Sequence, residues 1–131
     1  MKTDRIINTE LIEAVAAIGH TQSLVIADAG LPVPKGVRCI DLSVVRGTPS
    51  FACVLKAVAS ELVVEKVIFA EEAKLHNAQV TELLNETFPQ AAFEAVSHEH
   101  FKELTKDAMV IVRTGECTSY ANAILIGGVN F

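Results

Sequence analysis

The 131-residue chain contains neither GxGxxG nor GxxxxGK[ST], the two glycine loops with which α/β proteins cradle dinucleotides and nucleotide phosphates. The glycines of VRTGE and LIGGVNF do not open a helix after a strand in the order such loops need. A GxSxG elbow is missing, and with it the usual exposed serine nucleophile. There is no CxxC pair. Cys39, Cys53 and Cys117 stand apart in VRCIDL, SFACVL and GECTS, and the first two read as small buried fillers. Four histidines offer no matching zinc pair, since His98 and His100 are only two apart and neither lies near a cysteine. A basic run is also missing: 11 Lys and Arg are scattered and the net charge is −5. That balance argues against nucleic acid as a partner and mildly against a highly phosphorylated substrate. No apolar stretch reaches the ~18 to 20 residues that cross a bilayer. MKTDRIINTELIEAV carries acids where a signal peptide has its apolar centre. These absences predict a soluble protein of the cytoplasm, with no membrane partner, no metal and reduced thiols.

Apolar residues, by contrast, are plentiful. They make up 50% of the chain and mean hydropathy is +0.37, enough to fill the core of one domain over residues 1–131. Asn8 is placed to cap a helix over 9–18 carrying Leu11, Ile12, Val15 and Ile18 on one stripe, with Gly19 as its stop. A strand at 23–27 leads into the turn-rich DAGLPVPKG, and VRCIDLS (37–43) reads as a second strand. Thr48 and Pro49 read as an N-cap with proline in the first turn, opening a helix with Phe51, Val54, Leu55, Val58 and Leu62 inward. VEKVIFA (64–70) is a strand, 76–87 a helix, AAFEAVS (91–97) a strand and HEHFKELTKD a short helix. AMVIVRTG and YANAILIGGV read as two final strands joined by a tight polar turn. Alternation of helix and strand argues an α/β class, a single small layered domain with a mixed β-sheet flanked by helices.

With nucleophile and metal chemistry unsupported, acid–base work remains. The stretch GHTQSLVIADAGLPVP holds a histidine before a buried strand and a carboxylate after it. His20, near the end of the first helix, suits either a cap favoured by the helix dipole or a general acid near neutral pH. Asp28 suits an Asx turn opening at Ala29-Gly30, or a ligand group where α/β folds keep them, at a strand end. His98 fits the start of a helix with no further task, and His76 and His100 read as surface residues. Tyr120 and Asn122, two apart, would share one strand face, either as a satisfied core pair or as a polar rim for hydroxyls.

Four segments carry a resemblance: IGHTQSLVIADAGLPVPKGVRCIDLS, VEKVIFAEE, VSHEHFKELTKDA and VIVRTGECTSYANAILIGGVNF. In that order, from Ile7 to Phe131, they resemble the D-ribose pyranase family, whose relatives include fucose mutarotases. The resemblance implies a small α/β domain and a cofactor-independent isomerase that interconverts β-D-ribopyranose and β-D-ribofuranose. It implies His20 as the proton donor, and Asp28, His98, Lys102, Tyr120, Ala121 and Asn122 as substrate-binding residues, Ala121 through its backbone. It also implies a homo-oligomer of two stacked rings of five, a homodecamer, with sites between neighbouring subunits. One departure is Ser119, where relatives often carry proline. Ring opening needs a proton given to the ring oxygen and one taken from the anomeric hydroxyl, and a neutral sugar suits Asp, Asn and Tyr partners. On this reading the ends of the 23–27 strand together frame one sugar site. Three alternatives stay open: fucose mutarotase-type anomer interconversion, a sugar-binding accessory protein without turnover, and a structural oligomer whose histidines merely cap helices.

Overall fold

In the computed structural model, which describes residues 1–131, local chemistry sets the first element. The Asn8 side chain accepts the Leu11 N–H at 2.9 Å and opens α1 (Thr9–Ala17), with Glu10 in the first turn and Leu11, Ala14 and Val15 buried. β1 (Ser23–Ala27), β2 (Cys39–Asp41) and α2 (Phe51–Ala59) follow. β3 (Val64–Ala70), α3 (Ala73–His76) and α4 (Ala78–Thr87) make the middle of the chain. β4 (Ala92–Val96) and α5 (His98–Leu104) come next, and a 3-10 turn at Thr105–Asp107 leads to β5 (Val110–Arg113) and β6 (Ala123–Gly127). No helix is long and apolar enough to cross a membrane.

The six strands form one mixed sheet in the order β2-β5-β1-β6-β3-β4. β6 runs antiparallel to both its neighbours, β1 and β3, while the remaining pairs are parallel. All five residues of β1 are buried, as expected of a central strand covered on both faces. Leu24 and Ile26 meet the layer built by α1, α2 and α4. Val25 and Ala27 meet the opposite layer, where Phe101 of α5 and Leu31 cover the sheet.

The structure corrects several local expectations. The last two strands do not form a hairpin, because β1 lies between them. Each is apolar enough to be buried, and by flanking β1 they satisfy its backbone along both edges. The cap of α2 is Ser50, whose side chain accepts the Cys53 N–H. Thr48 instead closes a turn with Val45, and Pro49 follows it through a cis peptide outside the helix. β2 is shorter than 37–43 because the Asp41 carboxylate turns back onto the Ser43 N–H and hydroxyl. Those bonds, with the Arg113 guanidinium at 3.0 Å, hold the Asp41 carboxyl below its usual range. The helix expected over 76–87 is broken at Asn77 into α3 and α4.

The cysteines differ from expectation as well: all three are exposed. In β2 the inward place goes to Ile40, so Cys39 faces out with Asp41. In α2 the helical period gives the inward face to Phe51, Val54, Leu55 and Val58, which turns Cys53 outward. Partial burial and the neighbouring Asp41 carboxylate raise the Cys39 thiol pKa, with Arg113 opposing.

Candidate active site

Because β5 and β6 straddle β1, the chain joining them must cross the C-terminal end of β1. That crossing, residues 114–122, builds a polar site there. Thr114 anchors it, its N–H and hydroxyl both donating to the Ala27 carbonyl, at 2.9 and 2.8 Å. The Ala29 N–H donates to the Glu116 carbonyl at 2.7 Å. At the far end of the crossing, the wholly buried Asn122 takes the Asp28 N–H on Oδ1 at 2.8 Å. It returns its own Nδ2–H to Asp28 Oδ2 at 2.9 Å. Asp28 Oδ1 accepts the Gly30 N–H at 2.9 Å, the Asx turn anticipated from the sequence. The two readings of Asp28 therefore coexist. The turn fixes the carboxylate, and each oxygen keeps a lone pair for a ligand hydroxyl.

Close approach also fixes the crossing from the side. A Cβ on Gly115 would lie 2.3 Å from the Thr48 carbonyl oxygen and 2.7 Å from its nitrogen, both backbone atoms that cannot swing aside. Gly115→Ala is expected to cost about 1–3 kcal/mol or more, read as a lower urea midpoint with an unchanged slope. A midpoint equal to wild type would show that the 43–49 loop moves freely.

The second wall of the site is the start of α5. Ser97 caps it by accepting the His100 N–H, and Glu72 accepts the His98 N–H on both carboxylate oxygens, at 3.1 and 3.0 Å. The His98 ring meets the Tyr120 ring edge-on, with centroids 5.1 Å apart at 79°, and stacks on Phe101 at 6.4 Å. Its Nδ1 is enclosed without a hydrogen-bond partner in the chain, which leaves Nε2 as the nitrogen open to a ligand. Lys102 lies one turn further along α5, on the side of His98, with its ammonium 2.7 Å from Glu99. Tyr120 and Asn122 do not lie on a strand, since β6 begins only at Ala123. Tyr120 instead takes a left-handed backbone (φ 59°), and this turn lets its ring face His98 while Ala121 and Asn122 go inward. Asp28, His98, Tyr120, Ala121 and Asn122 thus converge at one end of the sheet. Beside them opens a cleft of ≈ 380 Å³ bounded by Asp28, Gly30, Glu116 and Ser119.

His20 is not part of that convergence. It precedes β1 and Asp28 follows it, and a five-residue strand at about 3.3 Å per residue puts roughly 16 Å between the strand's ends. Within one chain, therefore, the two ends of β1 do not meet in a common site. Instead, His20 Nε2 lies 3.0 Å from Glu65 Oε2, both half-exposed, beside a cavity of ≈ 300 Å³ that reaches the C-terminal Phe131.

Sequence reasoning missed several residues at both ends. Glu65 holds the His20 ring, Glu72 holds α5, and Glu116 accepts the Phe51 N–H at 3.0 Å and the Thr118 hydroxyl at 3.0 Å. The sequence carried no signal for Glu72, because the residue that follows β3 directly, as Asp28 follows β1, is Glu71. His100 is exposed as expected. His76 is exposed too, yet its ring lies 5.9 Å from that of Tyr120. No three His, Cys, Asp or Glu side chains are grouped so as to hold a metal ion.

Comparison with known proteins gives this geometry a family. Residues 1–130 match the model of the RbsD / FucU transport protein family. The chain is 50% identical over 131 residues to a D-ribose pyranase of Bacillus cereus, covering all of both chains. It is 49% identical to the D-ribose pyranase of Geobacillus thermodenitrificans, covering 100% of this chain and 99% of the other. Among solved structures, Bacillus subtilis RbsD complexed with D-ribose superimposes with a TM-score of 0.96 at 50% identity, each chain fully covered. A fucose mutarotase of Streptococcus pneumoniae in complex with L-fucose reaches a TM-score of 0.84 at 22% identity, again over the whole of both chains, which speaks for the fold alone. The crossing loop, the Asp28–Asn122 pair and the His98–Tyr120 wall are therefore features of a chain that belongs to the RbsD / FucU family.

Proposed function

We propose that the protein is a cofactor-independent isomerase that interconverts the pyranose and furanose forms of D-ribose, with residues 1–131 acting as one pyranase domain. The full-length 50% identity to D-ribose pyranases supports the substrate. The observation that carries the chemistry is the buried Asn122 clamping Asp28 at 2.8 and 2.9 Å beside the His98–Tyr120 wall. That arrangement offers fixed acceptors and donors to several hydroxyls and no strong nucleophile. Asp28, Asn122, Tyr120, the Ala121 backbone, His98 and Lys102 bind the sugar.

Opening the pyranose breaks the bond between the anomeric carbon and the ring oxygen. The ring oxygen takes a proton as the anomeric hydroxyl gives one up and becomes the aldehyde. Closure through the neighbouring hydroxyl reverses the two transfers and yields the furanose. His20 supplies the proton, with Glu65 fixing its ring. Because His20 and Asp28 occupy opposite ends of β1, the His20 that serves a given Asp28 comes from a second copy. A repeating head-to-tail contact of that kind forms a ring when its rotation closes, and the family resemblance supports two stacked rings of five. We place the protein in the cytoplasm, where its three exposed thiols stay reduced.

The test is exchange NMR on D-ribose with and without the protein, with L-fucose in parallel. Faster exchange between ribopyranose and ribofuranose signals is the expected result. Acceleration of fucose anomer exchange alone would move the chain to mutarotase activity, and saturable binding without acceleration would leave a sugar-binding protein.

A further inference from the structure

Both walls of the sugar site are held by one short piece of chain, Glu72–Asn77, which itself reaches no part of the Asp28–Asn122 clamp. At its start, the Glu72 carboxylate accepts the His98 N–H on both oxygens. At its end, Asn77 Nδ2 donates to the Thr118 hydroxyl at 2.9 Å and to the Ser119 carbonyl at 2.8 Å, immediately before Tyr120. Between these contacts, the His76 ring lies against Tyr120 at 5.9 Å.

The segment is stiff for its length. α3 is a single turn closed by His76 N–H to the Glu72 carbonyl at 3.0 Å and Asn77 N–H to the Ala73 carbonyl at 2.9 Å. Ala73 is wholly buried and pins the turn to the sheet. A helical rise of about 1.5 Å per residue fixes the spacing of Glu72 and Asn77 within this turn. Asn77 also explains the break between α3 and α4. Its backbone is non-helical (φ −154°, ψ 62°), and its side chain reaches the crossing loop through Nδ2 and caps neither helix.

We infer that Glu72 and Asn77 are positioning residues, which set the separation of His98 and Tyr120 through the rigid α3 turn and thereby the affinity for the sugar ring. Glu116 pulls on the same loop, but toward α2, and does not reach α5. Beyond the direct contact of the His98 and Tyr120 rings, the α3 segment hydrogen-bonds to both binding elements. The inference rests on the sugar-site reading for its consequence, though not for its geometry.

A test can keep those two apart, because Tyr120 is the only tyrosine and the chain has no tryptophan. The tyrosine band in near-ultraviolet circular dichroism therefore reports the Tyr120 environment alone. Glu72→Ala and Asn77→Ala are expected to lose most of that band in the sugar-free protein while the far-ultraviolet spectrum stays native. For ribose exchange, kcat/KM falls about 10–100-fold, the larger part of it as a rise in KM. Glu72→Gln, which keeps an oxygen to accept the His98 N–H, restores both readouts. The exposed Glu71→Gln, which makes none of these contacts, matches wild type. If Glu72→Ala does not fold, Asn77→Ala carries the same pair of measurements.

A variant with a lowered melting temperature but a native tyrosine band and unchanged KM would reduce the segment to ordinary scaffolding and overturn the inference. So would a Glu72→Gln protein as impaired as Glu72→Ala, since the hydrogen bond would then not be what matters. Should wild type itself fail to accelerate ribose exchange, the functional reading falls. The sugar-free tyrosine band still decides whether α3 sets the His98–Tyr120 wall.

Discussion

His20→Ala is expected to slow exchange between ribopyranose and ribofuranose by about 10²–10⁴-fold, the usual contribution of a positioned acid or base, while ribose still binds saturably. Binding survives because Asp28, Asn122, Tyr120 and His98, which hold the sugar's hydroxyls, come from a different copy than the His20 that serves them and keep their own contacts. The same separation makes a stronger prediction. Asp28→Asn damages the binding end and leaves His20 untouched, so each variant lacks a different half of the site. Co-expressed in one cell, His20→Ala and Asp28→Asn chains are expected to regain exchange activity that neither shows alone. In a mixed ring, some contacts bring an intact His20 to an intact Asp28. Recovery is measured on the mixed oligomer by the same exchange NMR. A mixture no more active than its components would mean that no site is shared between copies, and an unaffected His20→Ala would remove this residue from the mechanism.

The second large effect concerns Asn122, which is fully buried and bonds Asp28 in both directions. Asn122→Ala leaves the Asp28 N–H without its acceptor, a loss of about 1–3 kcal/mol. Asn122→Asp is expected to be worse at neutral pH, by about 3–5 kcal/mol, because it sets an unpaired buried carboxylate against the Asp28 carboxylate. Two such groups share a proton in the folded state, so the variant's folded carboxyl has a raised pKa relative to the unfolded value of about 3.9. The native state then binds more protons than the unfolded one, and stability falls as pH rises between those two values. Urea unfolding should therefore show Asn122→Asp close to wild type in acid and progressively weaker toward neutrality. A deficit that does not change with pH would assign the loss to packing rather than to charge. Ribose binding should fail in both variants, since the clamp on Asp28 is lost.

Much of the scaffold could be read locally. α1 starts where Asn8 can cap it, and β1 and β3 lie where the apolar runs put them, because these depend on neighbours a few residues apart. Asp28 at a strand end and His98 at a helix start were legible for the same reason. What failed depended on distant parts of the chain. Nothing in AMVIVRTGECTSYANAILIGGV states that another strand will lie between its two apolar runs, so the crossing loop looked like a turn and Tyr120 like a strand residue. The cap of α2 slipped from Thr48 to Ser50 because Thr48 is engaged by Val45 and by the close approach of Gly115. The opposed positions of His20 and Asp28 were a different case. A five-residue strand separates its ends whatever surrounds it, so strand length alone argued against their meeting within one chain. Glu65, Glu72 and Asn77 were invisible because each acts on a partner far away in sequence, and carboxylates and amides on the surface are otherwise common.

The reversed central strand also bears on the order in which the molecule can assemble. β2, β5 and β1 make one parallel group and β3 with β4 another. The two become a single sheet only when β6, the last strand of the chain, enters between them. Pairings so distant in sequence close slowly, and domains emerge from the ribosome N-terminal end first. Until residues 123–127 arrive, β1 and β3 each lack a partner along one edge. Asn122 immediately precedes that strand, so the carboxylate clamp forms in the same event that seals the sheet. A chain that holds ribose has for that reason completed its fold, and the sugar can act as a ligand that selects finished molecules from stalled ones.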